Sequence, residues 1–161
     1  MFSVLALTLL GLAPIPPACA TLTKAEAQAF VGQPIERMIP EDPEPDRETG
    51  SIHTTCTYMG KTLALVISID EFPSAAAAAK KMTAEYLASQ DTGDDEGPPP
   101  KIEPESGLGD AGYYGWSAHA AMILMVKGPL AYGAILGGNG IGPEDRAKLR
   151  QIVTAIAAKG S

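Results

Sequence analysis

The chain has 161 residues, 45% hydrophobic and 19% charged, with few aromatics and a net charge of −7, a composition that suits one domain with its own core. The charge is local: the stretch 33–50 holds six acids against two bases, and 91–107 holds six against one. Acidity concentrated this way repels phosphates and anionic lipid, which argues against nucleic-acid binding.

Phe2 to Ala13 form a 12-residue apolar run, FSVLALTLLGLA. A bilayer span needs about 20 residues, so the run has the length of a signal-peptide core rather than of a membrane helix. Pro14, Pro16 and Pro17 then break any helix. Ala18-Cys19-Ala20 offers the small-x-small pattern read by signal peptidase, although no Lys or Arg precedes Lys24. We therefore expect residues 1–20 to be a signal peptide or lipoprotein-type leader and 21–161 to be a single domain, with Cys19 kept if cleavage lies upstream. The expected location is outside the cytoplasm, periplasmic or attached to the cell envelope.

Thr23 and Glu26 have the spacing of a capping box, and Gly32 would close the short helix that they open. Residues 33–50, with four prolines among the acids, read as a long loop. Residues 52–59 and 62–70 read as a hairpin around Gly60-Lys61, with Leu63, Leu65, Ile67 and Ile69 on one face. Pro73-Ser74 opens a helix expected to run to about Gln90, and residues 91–107 read as a second acidic loop. Three strands follow at 111–117, 120–127 and 130–137, then a glycine-rich connection and a final helix with Pro143 at its first turn. The expected fold is α+β: one antiparallel sheet of about five strands with helices packed on it, in the order α-β-β-α-β-β-β-α. The segment AAMILMV at 120–126 does not alternate, so both its faces should be covered.

Candidate chemistry is sparse. Cys19 and Cys56 are the only cysteines; they pair, or Cys19 is lost with the leader, or Cys19 carries a lipid, although Pro16-Pro17-Ala18 makes a poor lipobox. His53 lies three residues from Cys56, on the opposite face of a strand, so it does not serve Cys56 as a base. Two histidines without ligand spacing argue against a zinc site. The acidic run Asp91, Asp94, Asp95, Glu96 lacks the alternation of a calcium loop. The glycines at 137–142 lack the P-loop Lys-Ser/Thr, and Glu144 and Asp145 would repel a phosphate. No cofactor is expected. Tyr113, Tyr114 and Trp116 form the one aromatic cluster; Tyr114 and Trp116 should share a face, and the three are either core or a binding surface.

Taken together, Cys19-x-x-Leu22-Thr23-x-x-Glu26 with Gly32, Cys56-x-Tyr58, Gly107-Leu108-Gly109-Asp110-Ala111 and Lys127-Gly128 resemble a family of small exported proteins and lipoproteins of unknown function, best known from actinobacteria. The resemblance implies a secreted α+β domain in which Cys19 and Cys56 pair, and it implies no catalytic residues. On this reading the chain is an exported envelope module that binds a small ligand or an envelope protein. It touches membrane only through an N-terminal lipid anchor, if it carries one, and a homodimer is compatible. The alternatives are a hydrolase whose site is assembled from distant residues such as Asp110, His119 and Tyr114, or a structural envelope component.

Overall fold

The computed structural model describes residues 14–89 and 98–160. The apolar run at 2–13 and the acidic run at 91–96 lie outside them. Two short helices come first, α1 (Ala18–Thr21) and α2 (Lys24–Val31), followed by strands β1 (Ile35–Pro45), β2 (Ile52–Gly60) and β3 (Leu63–Glu71). Helices α3 (Ala75–Lys81) and α4 (Ala84–Ala88) follow, then strands β4 (Lys101–Pro104), β5 (Ala111–Trp116), β6 (Ala120–Lys127) and β7 (Leu130–Gly138). A 3₁₀ turn at Pro143–Asp145 leads into α5 (Arg146–Lys159). All seven strands form one sheet in the order β1-β2-β3-β7-β6-β5-β4, and every neighbouring pair is antiparallel.

The class and the single antiparallel sheet agree with the expectation; the strand count does not. Both additional strands lie inside segments expected to be loops. Proline lacks an N–H and is tolerated where a strand pairs on one side only. β1 carries Pro40, Pro43 and Pro45 yet pairs with β2 along its length, with irregularities between Ile35 and Arg37 and between Glu41 and Glu44. It is an edge strand, and so is the four-residue β4, which ends at Pro104. The helix expected over 74–90 is in fact two. Met82 leaves helical geometry with φ −87° and ψ 83°, and Thr83 starts again by accepting a hydrogen bond from the Tyr86 N–H.

Strand alternation divides the core. One face carries Cys56 and Tyr58, then Leu65, Ile67 and Ile69, then Leu136, Ala134 and Tyr132, then Ala121 and Ile123, with Tyr114 beyond. It is covered by α1, α2 and α5, the last through Leu149, Ile152, Val153 and Ile156. The capping box of α2 is formed, and Gly32 closes the helix at φ 74°. The other face is covered by α3 and α4, which pack on β6, β7, β5 and β4 through Ala78, Met82 and Leu87. β6 is buried at seven consecutive positions because helices lie on both sides of it. On the second face α3 and α4 serve mainly the β7-β6-β5-β4 half. His53, Thr55, Val66 and Ser68 of β2 and β3 are left half-buried.

Residues 14–22 belong to the first face. Ile15, Ala18, Thr21 and Leu22 are buried, the Ala18 N–H donates to Thr54 Oγ1 at 3.1 Å, and Cys19 is bonded to Cys56 with the two Cα atoms 5.0 Å apart. The Tyr58 hydroxyl donates to the Leu22 carbonyl.

Candidate functional site

Of the residues singled out from sequence, the two cysteines meet and so do Tyr114 and Trp116, while Tyr113, Asp110 and His119 lie elsewhere. Cys19 and Cys56 form a disulfide, so neither is a thiol nucleophile. Tyr114 and Trp116 share a face as expected and stack at 5.5 Å between centroids. Tyr114 is fully buried, its hydroxyl donates to the Gly142 carbonyl at 3.1 Å, and its ring lies 5.1 Å from the Arg146 guanidinium carbon. Burial pushes the Tyr114 phenol up to about 12. Tyr113 packs on the opposite face against the α3–α4 cluster. The three aromatics therefore form no common surface. Asp110 and His119 lie beyond opposite ends of β5, and Asp110 accepts a hydrogen bond from the Gly128 N–H at 2.6 Å. The glycine-rich connection at 137–142 spends the Gly142 N–H on Asp145 within the chain, at 3.2 Å. Among the described residues no group of three His, Cys, Asp or Glu could hold a metal ion, and no helix is long and apolar enough to cross a membrane.

A site does form on the less covered half of the second face. β2 and β3 pair so that His53 lies opposite Asp70 and Thr55 opposite Ser68. On the next strand Gly133 lies opposite Ser68 and Ile135 opposite Val66. These residues, with Tyr86 and Leu87 of α4, line a cavity of about 110 Å³. That is somewhat less than the roughly 150 Å³ of an apolar cavity that encloses one benzene ring. Gly133 is not required here by backbone conformation, because its φ is not positive. A Cβ there would lie 2.4 Å from Ser68 Oγ, so the Ser68 hydroxyl would have to turn away. A glycine inside a strand commonly marks a close approach of this kind.

The polar end of the cavity is ordered by a hydrogen-bonded chain. His53 Nδ1 lies 2.8 Å from Asp70 Oδ1, and Ser51 Oγ donates to the same oxygen at 3.1 Å. Ser51 and Thr49 hydroxyls are 2.7 Å apart, and Thr49 Oγ1 donates to Asp46 Oδ2 at 2.6 Å. Thr49, Ser51 and Asp70 are all buried, so the turn between β1 and β2 is tied to the end of β3. The hydrogen bond to Asp70 raises the His53 pKa above its usual value against the opposing effect of burial, and the charges of Asp70, Asp46 and Glu41 add to the rise. The bond from Thr49 holds Asp46 below the ordinary carboxylate range. With Nδ1 committed to Asp70, Nε2 is the imidazole nitrogen left to serve the cavity. The sequence does carry a signal for this site: Thr49, Ser51, His53 and Thr55 recur every second residue, as do Ser68 and Asp70. That period puts polar groups together on one face of each strand.

A second polar cluster is structural. Glu105 is buried and accepts from Arg146 Nε at 2.6 Å and from Arg150 at 2.5 Å, while Arg150 also donates to the Gly107 carbonyl at 2.8 Å. It fastens α5 to the loop between β4 and β5.

No protein-family model and no curated protein matches the chain. Its fold is similar to that of the extracellular domain of PknH from Mycobacterium tuberculosis. The likeness covers 91% of this chain and 97% of that one, with a TM-score of 0.55 and 13% identity. At that identity the likeness concerns the fold.

Proposed function

We propose that this protein is an exported ligand-binding module whose site is the cavity between β2, β3, β7 and α4. The observation that carries the reading is the oriented His53–Asp70 pair beside a small, mainly apolar cavity lined by Ser68, Gly133 and Leu87. Ligand sites typically combine an apolar lining with a few fixed polar groups. Export is supported by the apolar run at 2–13, by a disulfide of the sort kept in oxidising compartments, and by the fold shared with an extracellular domain. Cleavage after Ala20 would discard Ile15, Ala18 and Cys19, all in contact with the core. The mature chain on this reading keeps Cys19 in its disulfide, where it cannot carry a lipid.

Two experiments test this. Intact mass of the protein recovered from culture supernatant and envelope should include Cys19 and rise by two hydrogens on reduction; a chain beginning at Thr21 refutes the processing. For the site, the low-molecular-weight fraction of an envelope extract should shift the amide resonances of His53, Ser68 and Gly133 in the wild-type protein. Filling the cavity by Val66→Trp, or by the milder Val66→Phe, should abolish the shifts. Shifts elsewhere only, or none, would refute the assignment.

A second reading is hydrolytic. An imidazole held by a buried carboxylate is the arrangement of a general base, and the Thr55 and Ser68 hydroxyls share its face. Turnover of an ester or amide panel that is lost in both His53→Ala and Ser68→Ala would favour it over binding.

A further inference from the structure

The charges around the cavity define what it can hold. We propose that it takes a small organic cation, a protonated amine or amidine on an apolar body no larger than one ring, with the charge at the His53 corner and the body over Gly133. This rests on the cavity being the binding site.

The seat is apolar at one end, where Val66, Leu87, Leu124 and Ile135 line it, and hydrogen-bonding at the other, where His53, Thr55 and Ser68 do. At about 110 Å³ it is smaller than an apolar cavity that encloses a whole benzene ring, so a guest is one ring at most and reaches out of it. The sign of the guest follows from what surrounds the polar end. Asp70 touches His53 from β3. On β1, Glu44 stands opposite His53 and Glu41 opposite Thr55, and Glu41 Oε2 accepts from Thr55 Oγ1 at 2.5 Å. Asp46 adds another carboxylate from the turn. The cation approaching from α3, Lys81, donates its Nζ to the Glu48 carbonyl at 3.3 Å, and α4 brings Tyr86 and Leu87. An incoming carboxylate would face Asp70, Asp46 and Glu41, all of its own sign; an incoming ammonium joins a field already organised for positive charge.

That field already acts on one cation, the His53 proton, and holds it more firmly than water does. Proton and ligand therefore compete. With His53 neutral, Nδ1–H donates to Asp70 and Nε2 offers a lone pair to a ligand N–H. With His53 protonated, Nε2 becomes a donor of the ligand's own charge. Binding should strengthen as pH rises through the His53 titration and fail on acidification.

The test uses benzylamine, benzyl alcohol and benzoate on the purified protein, followed by amide chemical shifts at pH 8.0 and 5.5. Benzylamine should shift His53, Ser68 and Gly133 at pH 8.0 and bind more tightly than the alcohol, with benzoate weakest. About one tenth of an ordinary imidazole is neutral at pH 5.5, so benzylamine affinity should fall tenfold or more there. His53→Gln, which cannot take up a proton, should bind benzylamine with little pH dependence. Benzoate binding as well as benzylamine at pH 8.0, or a pH dependence that survives in His53→Gln, overturns the cation proposal and leaves the cavity reading standing. If none of the three compounds and nothing in the envelope fraction shifts these amides, both fall.

Discussion

Breaking the Cys19–Cys56 bond should cost this fold a large share of its stability, and the structure sets the size of the effect. The bond joins residues 37 apart. Closing a loop of that length in the unfolded chain removes conformational entropy worth about 4 kcal/mol at 25 °C. Reduction leaves both sulfur atoms in place, so the packing of Cys56, fully buried beneath α1, changes little. A domain of this size should then melt roughly 10–15 °C lower. The assay is urea unfolding of the wild-type protein with and without a phosphine reductant, beside the Cys19→Ala/Cys56→Ala double variant. The variant should match the reduced protein to within the loss of one buried sulfur, about 1 kcal/mol. Hydrogen exchange should show where the loss falls first: the Ala18 N–H, bonded to Thr54 Oγ1, should lose protection ahead of the central strands. A reduced protein within about 1 kcal/mol of the oxidised one would refute the argument, because the crosslink would then constrain nothing in the unfolded chain.

Other expectations follow from single residues. Glu26 has its pKa lowered to about 2, first by its hydrogen bond with Lys159 and then by the Thr23 N–H. Its contribution is present above the unfolded value near 4.5 and is lost as pH falls towards 2, so Glu26→Gln should flatten the urea midpoint over that interval. His53 has its pKa raised by Asp70, the opposite sign. That contribution is complete below about pH 6.5 and fades as pH rises through the folded value, and His53→Gln should remove this slope. Gly109 has φ +63° and a Cβ there would lie 2.3 Å from the Val126 carbonyl oxygen; Gly109→Ala should cost about 2–3 kcal/mol in urea unfolding. A variant at wild-type stability would show that the turn relaxes.

Much of the fold was readable because local and tertiary preferences agree. Thr23, Glu26 and Gly32 delimit α2 by capping chemistry alone, and Leu65, Ile67 and Ile69 declare one face of β3 by alternation. The unbroken apolar run of β6 announced cover on both faces, which the structure supplies as helices. What stayed hidden depended on neighbours. Pro40, Pro43 and Pro45 argue against a strand unless that strand has a partner on one side only, which is a property of the sheet and not of the segment. The break at Met82–Thr83 needs the buried seat of Met82 to explain it. The site was hidden for a related reason. His53 and Asp70 are 17 residues apart, and only the β2–β3 register makes them a pair. Tyr113, Tyr114 and Trp116 are near neighbours in sequence, but alternation sends Tyr114 into the core on one face and Tyr113 to the other.

The prolines at the two rims of the sheet have a consequence of their own. β1 terminates it on one side with three prolines among carboxylates, and β4 on the other with four residues ending in Pro104. A strand from another molecule laid along either rim would find donors missing from the ladder and, on β1, like charge facing it wherever the newcomer is a second copy. The sheet is thus built to end. Backbone-to-backbone pairing of copies is disfavoured at both rims, and concentrated solutions should stay free of fibres.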